Sequence, residues 1–360
     1  MPTLTSYVAG RWQEGTGEPR ALLDPTSGET VAQLPSGGID FAEMTRYARE
    51  VGGPALRAMN FAERGQLLKD LSTAIHAERE ELIELGRLCG GNTRGDAKFD
   101  IDGATGTLAA YAHYARSLGE RKILPDGEGV QLGRTARFWG QHILSPRVGV
   151  AVHINAFNFP IWGMLEKFAP AFLAGMPCIV KPATATSYLT EAAVRVINDS
   201  GLLPEGALQL IIGGTGDLLD RLEEQDFVTF TGSASTALKL KNHPNIMAKS
   251  IPFNAEADSL NSAIMAPDVT PDDEEFDIFA KEVTKEMTAK AGQKCTAIRR
   301  VLGPAEHLDA LAERIKERLG KITFGNPAAE GVRMGALASR DQLRDVNAAI
   351  DRLLASSECI

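Results

Sequence analysis

The 360 residues predict an α/β protein built around a parallel sheet, the usual scaffold for a nucleotide. Three observations carry that reading. From Val148 onward, short apolar runs alternate with helical periodicity, as parallel strands joined by crossover helices require. Asn158, Lys181 and Thr231-Gly232-Ser233 fall at or just after the ends of three such runs, where α/β sheets place ligands. The length suffices for two domains, and 44% hydrophobic with 24% charged residues is ordinary for a globular chain.

The first thirty residues read as short strands and turns, with Asp24-Pro25-Thr26-Ser27-Gly28 as a turn cluster. From Phe61 to Leu88 the pattern is helical, because Leu67, Leu68, Leu71, Ile75, Leu82, Leu85 and Leu88 recur largely at three- and four-residue steps. Asp102–Leu118 reads as a further helix. Residues 122–145 differ: a Pro-Asp-Gly turn precedes a strand over Arg134–Leu144. The alternation then runs strand Val148–Ile154, helix Trp162–Ala174, strand Cys178–Val180, helix Ser187–Asp199, strand Leu208–Ile212, short helix Leu218–Glu224 and strand Phe227–Phe230. Beyond Glu256 lies a second α/β region, with a strand at Ser262–Met265 and helices at Phe276–Ala291 and Leu308–Leu319. The run Asp272-Asp273-Glu274-Glu275 suits a solvated helix start.

Composition removes several function classes. A net charge of −9 offers no basic surplus to displace counterions from nucleic acid. Cys89, Cys178, Cys295 and Cys359 are scattered without a Cys-x-x-Cys, so neither a zinc site nor a disulfide framework is expected, and a reducing, cytoplasmic setting fits. The N-terminus shows no secretory signal. Ala169–Val180, the most apolar stretch, contains Gly175 and Pro177 and is too short to span a bilayer.

Three residues form a chemical set. Cys89 and Cys178 sit in apolar surroundings and read as small buried hydrophobes. Cys295 differs: Gln293, Lys294 and Thr296 make its setting polar, and a nearby cation favours a thiolate. A thiol that attacks a carbonyl needs an oxyanion donor and a base for the water that releases the acyl group. Asn158 can be that donor or merely a turn-forming residue. Glu256, 39 positions before Cys295, can be that base or a surface acid. Lys181 can meet a ribose or phosphate, and the helix after Thr231-Gly232-Ser233 offers free backbone N–H groups to a diphosphate. Gly214-Thr215-Gly216-Asp217 lacks a third glycine and reads as a helix start with Asp217 near the cap. A cysteine hydrolase needs a base for the thiol, and none of the six histidines lies in such a motif.

Together these residues resemble the aldehyde dehydrogenase superfamily, from Gly10-Arg11-Trp12 to Met334-Gly335-Ala336-Leu337. More narrowly, Val150–Pro160, Gly163–Lys167, Lys181–Thr186, Glu256–Asn261 and Ala291–Arg300 resemble the dehydrogenase domain of PaaZ-type phenylacetate-degradation proteins. The resemblance implies an aldehyde dehydrogenase fold: a Rossmann-like cofactor domain over 1–121 and 146–255, an oligomerisation ribbon over 122–145 and a catalytic domain over 256–360. It implies Cys295 as nucleophile, Asn158 and the Cys295 N–H as oxyanion donors, and Glu256 as the base that hydrolyses the thioester. Lys181 would contact the adenosine ribose, and Gly232 and Ser233 the diphosphate. NAD-preferring relatives carry an acidic residue three positions after the matching lysine; here Thr184 stands there, which admits NADP and leaves NAD possible. The implied substrate is a CoA-linked aldehyde, first 3-oxo-5,6-dehydrosuberyl-CoA semialdehyde, with 3,4-dehydroadipyl-CoA semialdehyde as the rival. No nucleic acid or membrane partner is expected, and the full-length parent would be a homo-oligomer.

The chain departs from the family pattern in three places. Ala257-Asp258-Ser259 replaces the common Leu-Gly-Gly after the glutamate, and Ala237 stands where a glycine is usual. The chain also stops at Ile360, before the family's Glu-x-Phe-Gly-Pro segment, so a C-terminally truncated fragment is expected, active or inactive.

Overall fold

A computed structural model describes all 360 residues. The N-terminal residues form two antiparallel pairs, β1 (Thr5–Val8) with β2 (Arg11–Glu14), and β3 (Arg20–Leu23) with β4 (Thr30–Leu34). Five helices follow: α1 (Phe41–Tyr47), α2 (Gly53–Ala58), α3 (Phe61–Ala77), α4 (Arg79–Gly90) and α5 (Arg94–Leu118). The single helix expected over Phe61–Leu88 is thus two, parted at Glu78. The break lets Leu71 and Ile75 on one helix, and Leu82 and Ile83 on the next, enter the same core. A reciprocal Asn60–Glu63 capping box starts α3, and Gly91 ends α4 in the left-handed conformation. α5 begins eight residues before the expected Asp102, because Thr93 caps it and Ala97, Asp100 and Ile101 face inward. An alanine-built inner face gives only a faint apolar period.

β5 (Leu124–Gln131) and β6 (Trp139–Leu144) form an antiparallel hairpin. Pro125-Asp126-Gly127 is not its turn, as the sequence suggested. It lies within β5, where the register shifts between Asp126 and Val130. Val130, Leu132, Phe138, Trp139, Ile143 and Leu144 are each more than half exposed.

The central sheet has seven strands. β7 (Ala151–Ile154), β8 (Cys178–Lys181), β9 (Leu208–Leu210), β10 (Phe227–Gly232) and β11 (Phe253–Ala257) run parallel in the order β11-β10-β7-β8-β9, and β1 and β2 extend the β9 edge antiparallel. α6 (Trp162–Leu173) and α7 (Ser187–Asp199) are the first two crossovers; α8 (Ala234–Lys241) and α9 (Pro244–Ala248) precede β11. The helix expected over Leu218–Glu224 is one 3-10 turn, and Asp217 pairs with Arg221 instead of capping it. β11 was not anticipated, since Asn254, Ala255 and Glu256 lack an apolar alternation.

Strand alternation separates two cores. Ala151, Cys178, Val180, Leu208 and Leu210 meet α3, α5, α6 and α7 on one face; Val150, Val152, Ile179, Ile211 and Val228 meet α1 and α9 on the other. A smaller unit follows: β12 (Asn261–Ile264) pairs parallel with β13 (Ile298–Leu302), beside α10 (Glu274–Thr288) and α11 (Leu308–Leu319). α12 (Arg340–Leu354) closes the chain and was not foreseen. No helix is long and apolar enough to cross a membrane.

Two glycines separate close approach from open space. A Cβ on Gly335 would lie 1.9 Å from the Gly91 carbonyl oxygen, so Gly335→Ala is expected to cost ~1–3 kcal/mol in urea unfolding. Gly106, exposed inside α5, has nothing within 4 Å of such a Cβ. There the same change is expected to stabilise by about 0.5–1 kcal/mol. Equal effects at the two sites would refute the packing argument.

Candidate active site

The strand order reverses between β7 and β10, so the crevice beyond their C-terminal ends is the natural ligand position. Buried polar atoms without a protein partner gather there. They include both side-chain polar atoms of Asn155, which is 4% exposed just after β7, and the Thr231 hydroxyl near the end of β10. Such groups rarely stay unpaired, and these point to a polar occupant.

Asn158 follows three residues after Asn155. Its carbonyl oxygen accepts the Phe159 N–H at 3.1 Å, which leaves the amide NH2 free to donate. The next amides are held by Asp100 of α5, which accepts the Ile161 N–H at 3.3 Å and the Trp162 N–H at 2.8 Å, capping α6 from a distant helix. Burial lifts the Asp100 carboxyl to about 6, against the pull of Lys290 and the two amides.

Glu256 lies on β11 in register with Thr231 of β10, beside the crevice. Cys295 comes from the second unit. The helix expected to run to Ala291 ends at Thr288, and Lys290 and Ala291 take φ of 51° and 54°, reversing the chain toward the sheet. Asn261 then clamps the loop: its amide NH2 donates to the Cys295 carbonyl at 2.6 Å and to the Ala297 carbonyl at 3.0 Å, and the Ser259 hydroxyl also donates to the Cys295 carbonyl.

Cys295 is exposed to solvent, yet its thiol is pushed up, first by partial desolvation and then by the negative field of Glu256, with Glu166 adding to it. Backbone N–H groups of Cys295 and Thr296 pull the other way. The expectation that Lys294 favours a thiolate fails. Its ammonium is bound at 2.9 Å to both oxygens of Glu286, which cancels the charge locally. Glu256 is therefore close enough to Cys295 for its charge to disfavour the thiolate.

The cofactor-side residues divide. Gly232 ends β10, and Ser233 caps α8 by accepting the Thr236 N–H at 3.3 Å. Lys181 ends β8 with only the Pro182 carbonyl as acceptor, and burial lowers its ammonium to about 8. A half-buried cation so poorly paired suits an oxygen-rich ligand. Thr184 instead lines a cavity of about 720 Å³ with Arg20, Asp24, Gly28, Ala336 and Arg340. Neither that cavity nor another of about 1000 Å³ between α4 and α7 reaches Cys295. Sequence reasoning gave Asp100, Glu166, Ser259, Asn261 and Lys290 no roles. Only the polar spacing of Ser259 and Asn261 behind Glu256 carried a signal.

The reversal point in the parallel sheet and the cysteine loop beside it define an α/β protein of the aldehyde dehydrogenase fold. The aldehyde dehydrogenase family model matches residues 12–358, and the chain belongs to that family. It is 48% identical over 339 residues to the 3,4-dehydroadipyl-CoA semialdehyde dehydrogenase of Aromatoleum evansii, covering 94% of this chain and 66% of that protein. The chain thus spans about two thirds of the length of the curated relatives it matches. Among solved structures, lactaldehyde dehydrogenase from Escherichia coli superposes with a TM-score of 0.86 at 22% identity, over 99% of this chain and 72% of that one. Betaine aldehyde dehydrogenase from Staphylococcus aureus, in complex with NAD+, gives 0.82 at 22% identity, over 96% and 66%. These likenesses establish the fold.

Asp100 provides a stability test. Its folded pKa, about 6, lies above its ordinary 3.8, so its contribution is present below pH 3.8 and lost as pH rises through 6. Relative to Asp100→Asn, the unaltered chain is expected to lose on the order of 1–3 kcal/mol between pH 4 and pH 7 in denaturant unfolding. A pH-independent gap would contradict the assignment.

Proposed function

We propose that the chain carries the cofactor-binding and nucleophilic parts of an NAD(P)-dependent dehydrogenase that oxidises a CoA-linked semialdehyde to its acid. The observation that supports this most is the Glu256 carboxylate acting on the thiol of a clamped cysteine, beside the sheet's reversal point. In this reading the Cys295 thiol releases its proton to solvent as the sulfur adds to the aldehyde carbon, and the oxyanion is met by the Asn158 amide and the Cys295 N–H. A nicotinamide held in the crevice would supply the hydride acceptor for that carbon. Glu256 then takes a proton from water, hydroxide adds to the thioester, and the Cys295 sulfur leaves. The hydrolytic base separates this reading from CoA-acylating chemistry.

Lys181, Gly232 and Ser233 are assigned to the adenosine ribose and diphosphate, and the unpartnered polar atoms of Asn155 and Thr231 fit an occupant of that crevice. Thr184 places no carboxylate against a 2′-phosphate, so NADP is preferred and NAD admitted. We assign 1–121 with 146–255 to cofactor binding, 122–145 to an oligomerisation ribbon and 256–360 to the catalytic part. The exposed apolar side chains of the hairpin support self-association. For the acyl chain, the 48% identity to a 3,4-dehydroadipyl-CoA semialdehyde dehydrogenase favours that substrate over the longer 3-oxo-5,6-dehydrosuberyl analogue.

Reduced-nicotinamide formation with the CoA-linked semialdehyde tests the scheme, in this chain and in any longer product of the same gene. Cys295→Ala is expected to abolish it. Glu256→Gln is expected to give about one equivalent of reduced cofactor, then turnover slowed roughly 10²–10⁴-fold as the thioester persists. Sustained turnover by Cys295→Ala would end the proposal. Thr184→Glu is expected to lower kcat/KM for NADP by about tenfold or more relative to NAD, a differential of ~1.4 kcal/mol; an unchanged ratio removes Thr184 from cofactor choice.

A further inference from the structure

We propose that Lys290 is a positioning residue that locks the Cys295 loop onto the Asn158 turn before any ligand binds. The proposal rests on the assignment of Cys295 and Asn158 to the catalytic site. Lys290 stands five residues before Cys295 and is 3% exposed, although its neighbours Ala289, Ala291 and Gly292 are only half-buried. A lysine is rarely buried unless something specific holds it.

Three contacts from the cofactor-binding side hold this one. Its main-chain N–H donates to the Asp96 carboxylate at 3.0 Å, and its ammonium donates to the Asn92 side-chain oxygen at 3.2 Å. The ammonium lies 4.8 Å from the ring centroid of Phe159, the residue next to Asn158, within cation–π range. It also attracts the buried Asp100 carboxylate, which caps the amides of Ile161 and Trp162 directly after that turn. The cation thus contacts Phe159 beside the Asn158 turn, and its field reaches the carboxylate that caps the helix after it. Lys294 repeats the pattern more weakly, 5.8 Å from the Phe99 ring while paired with Glu286. Phe99, Phe159 and Trp162 meet edge to face, so the two lysines dock on one aromatic cluster.

The backbone supports the same conclusion. Lys290 and Ala291 are two of five non-glycine residues with positive φ, and such strain persists only where surrounding contacts over-determine it. If Lys290 only filled space, nothing would require its loop to take this reversed path.

Because removing the cation alone strands Asp100, the decisive variant is the pair Lys290→Met with Asp100→Asn, which removes both charges. Hydrogen–deuterium exchange of the ligand-free chain is read over residues 156–162 and 289–297, together with the pH midpoint of Cys295 alkylation by iodoacetamide, followed by peptide mass. The expected result is a cooperatively folded double variant in which both segments exchange about tenfold faster or more. Its Cys295 midpoint falls toward an ordinary thiol as the loop leaves Glu256. Lys290→Arg, which keeps the cation, is expected to stay within about threefold of the unaltered chain in both segments. Wild-type exchange in the double variant, acceleration confined to 289–297, or rapid exchange in a folded Lys290→Arg chain would each overturn the proposal. None of these readouts needs turnover. An inactive unaltered chain would therefore remove the catalytic reading and leave the clasp standing.

Discussion

Five parallel strands that must be covered on both faces set the terms for everything else in this chain. Residues 150, 152, 179, 211 and 228 on one side, and 151, 178, 180, 208 and 210 on the other, are nearly all aliphatic and buried. At roughly 1.5–3 kcal/mol for each large aliphatic side chain removed from water, neither face can be left wet. Helices must therefore cross on both sides, and the crossings must change side at some pair of strands. That change falls between β7 and β10, and it leaves the helices diverging above those two strand ends. The crevice is a by-product of covering the sheet, and the polar atoms of Asn155 and Thr231 turn it into a place for a ligand.

The second unit meets this crevice through strained backbone. Of the five non-glycine residues with positive φ, Asp258 follows the Glu256 strand, and Lys290 and Ala291 lead to Cys295. Each such residue costs about 1–3 kcal/mol, which its local contacts must offset. The Asn261 amide and the buried lysine do so from opposite ends of the cysteine loop. The chemistry gains a thiol whose position is fixed in advance, while its proton is retained under the field of two carboxylates.

The parallel alternation from β7 to β10 was legible because apolar runs there are short, β-rich and separated by helices with clear period. α7 and α11 match their expected limits to the residue, since their apolar stripes are clean. What stayed hidden has physical causes. β11 is a strand because β10 supplies its hydrogen bonds, and Asn254, Ala255 and Glu256 say nothing of that on their own. α5 hides its first two turns because Ala97 and Ile101 are their only buried apolar residues among mostly charged ones. α12 has a strong apolar stripe, with Leu343, Val346, Ile350, Leu353 and Leu354, but it was passed over because its residues lie outside the recognised motifs. At the site, Cys295 and Glu256 were visible from their residue types and surroundings. Asp100 was not, because a carboxylate mid-helix reads as solvated until the fold shows it capping a helix 61 residues away. The same blindness produced the misreading of Lys294, whose charge is cancelled by Glu286, a partner eight residues earlier on α10.

The edge of the main sheet has a consequence in time. Tyr7 of β1 pairs with Leu210 of β9, the Ser6 hydroxyl accepts the Ile212 N–H at 2.9 Å, and the Gln209 side chain accepts the Ala9 N–H at 2.8 Å. All three contacts join segments some two hundred residues apart. A ribosome adding about 5–20 residues per second therefore holds the first hairpin without its partner strand for roughly ten seconds or more. Over that interval Leu4 and Val8, each 1% exposed in the finished fold, have no core to enter. The N-terminal strands are the first to be made, yet they can join the main sheet only once β9 has emerged, and until then the nascent chain is open to misassociation at its leading end.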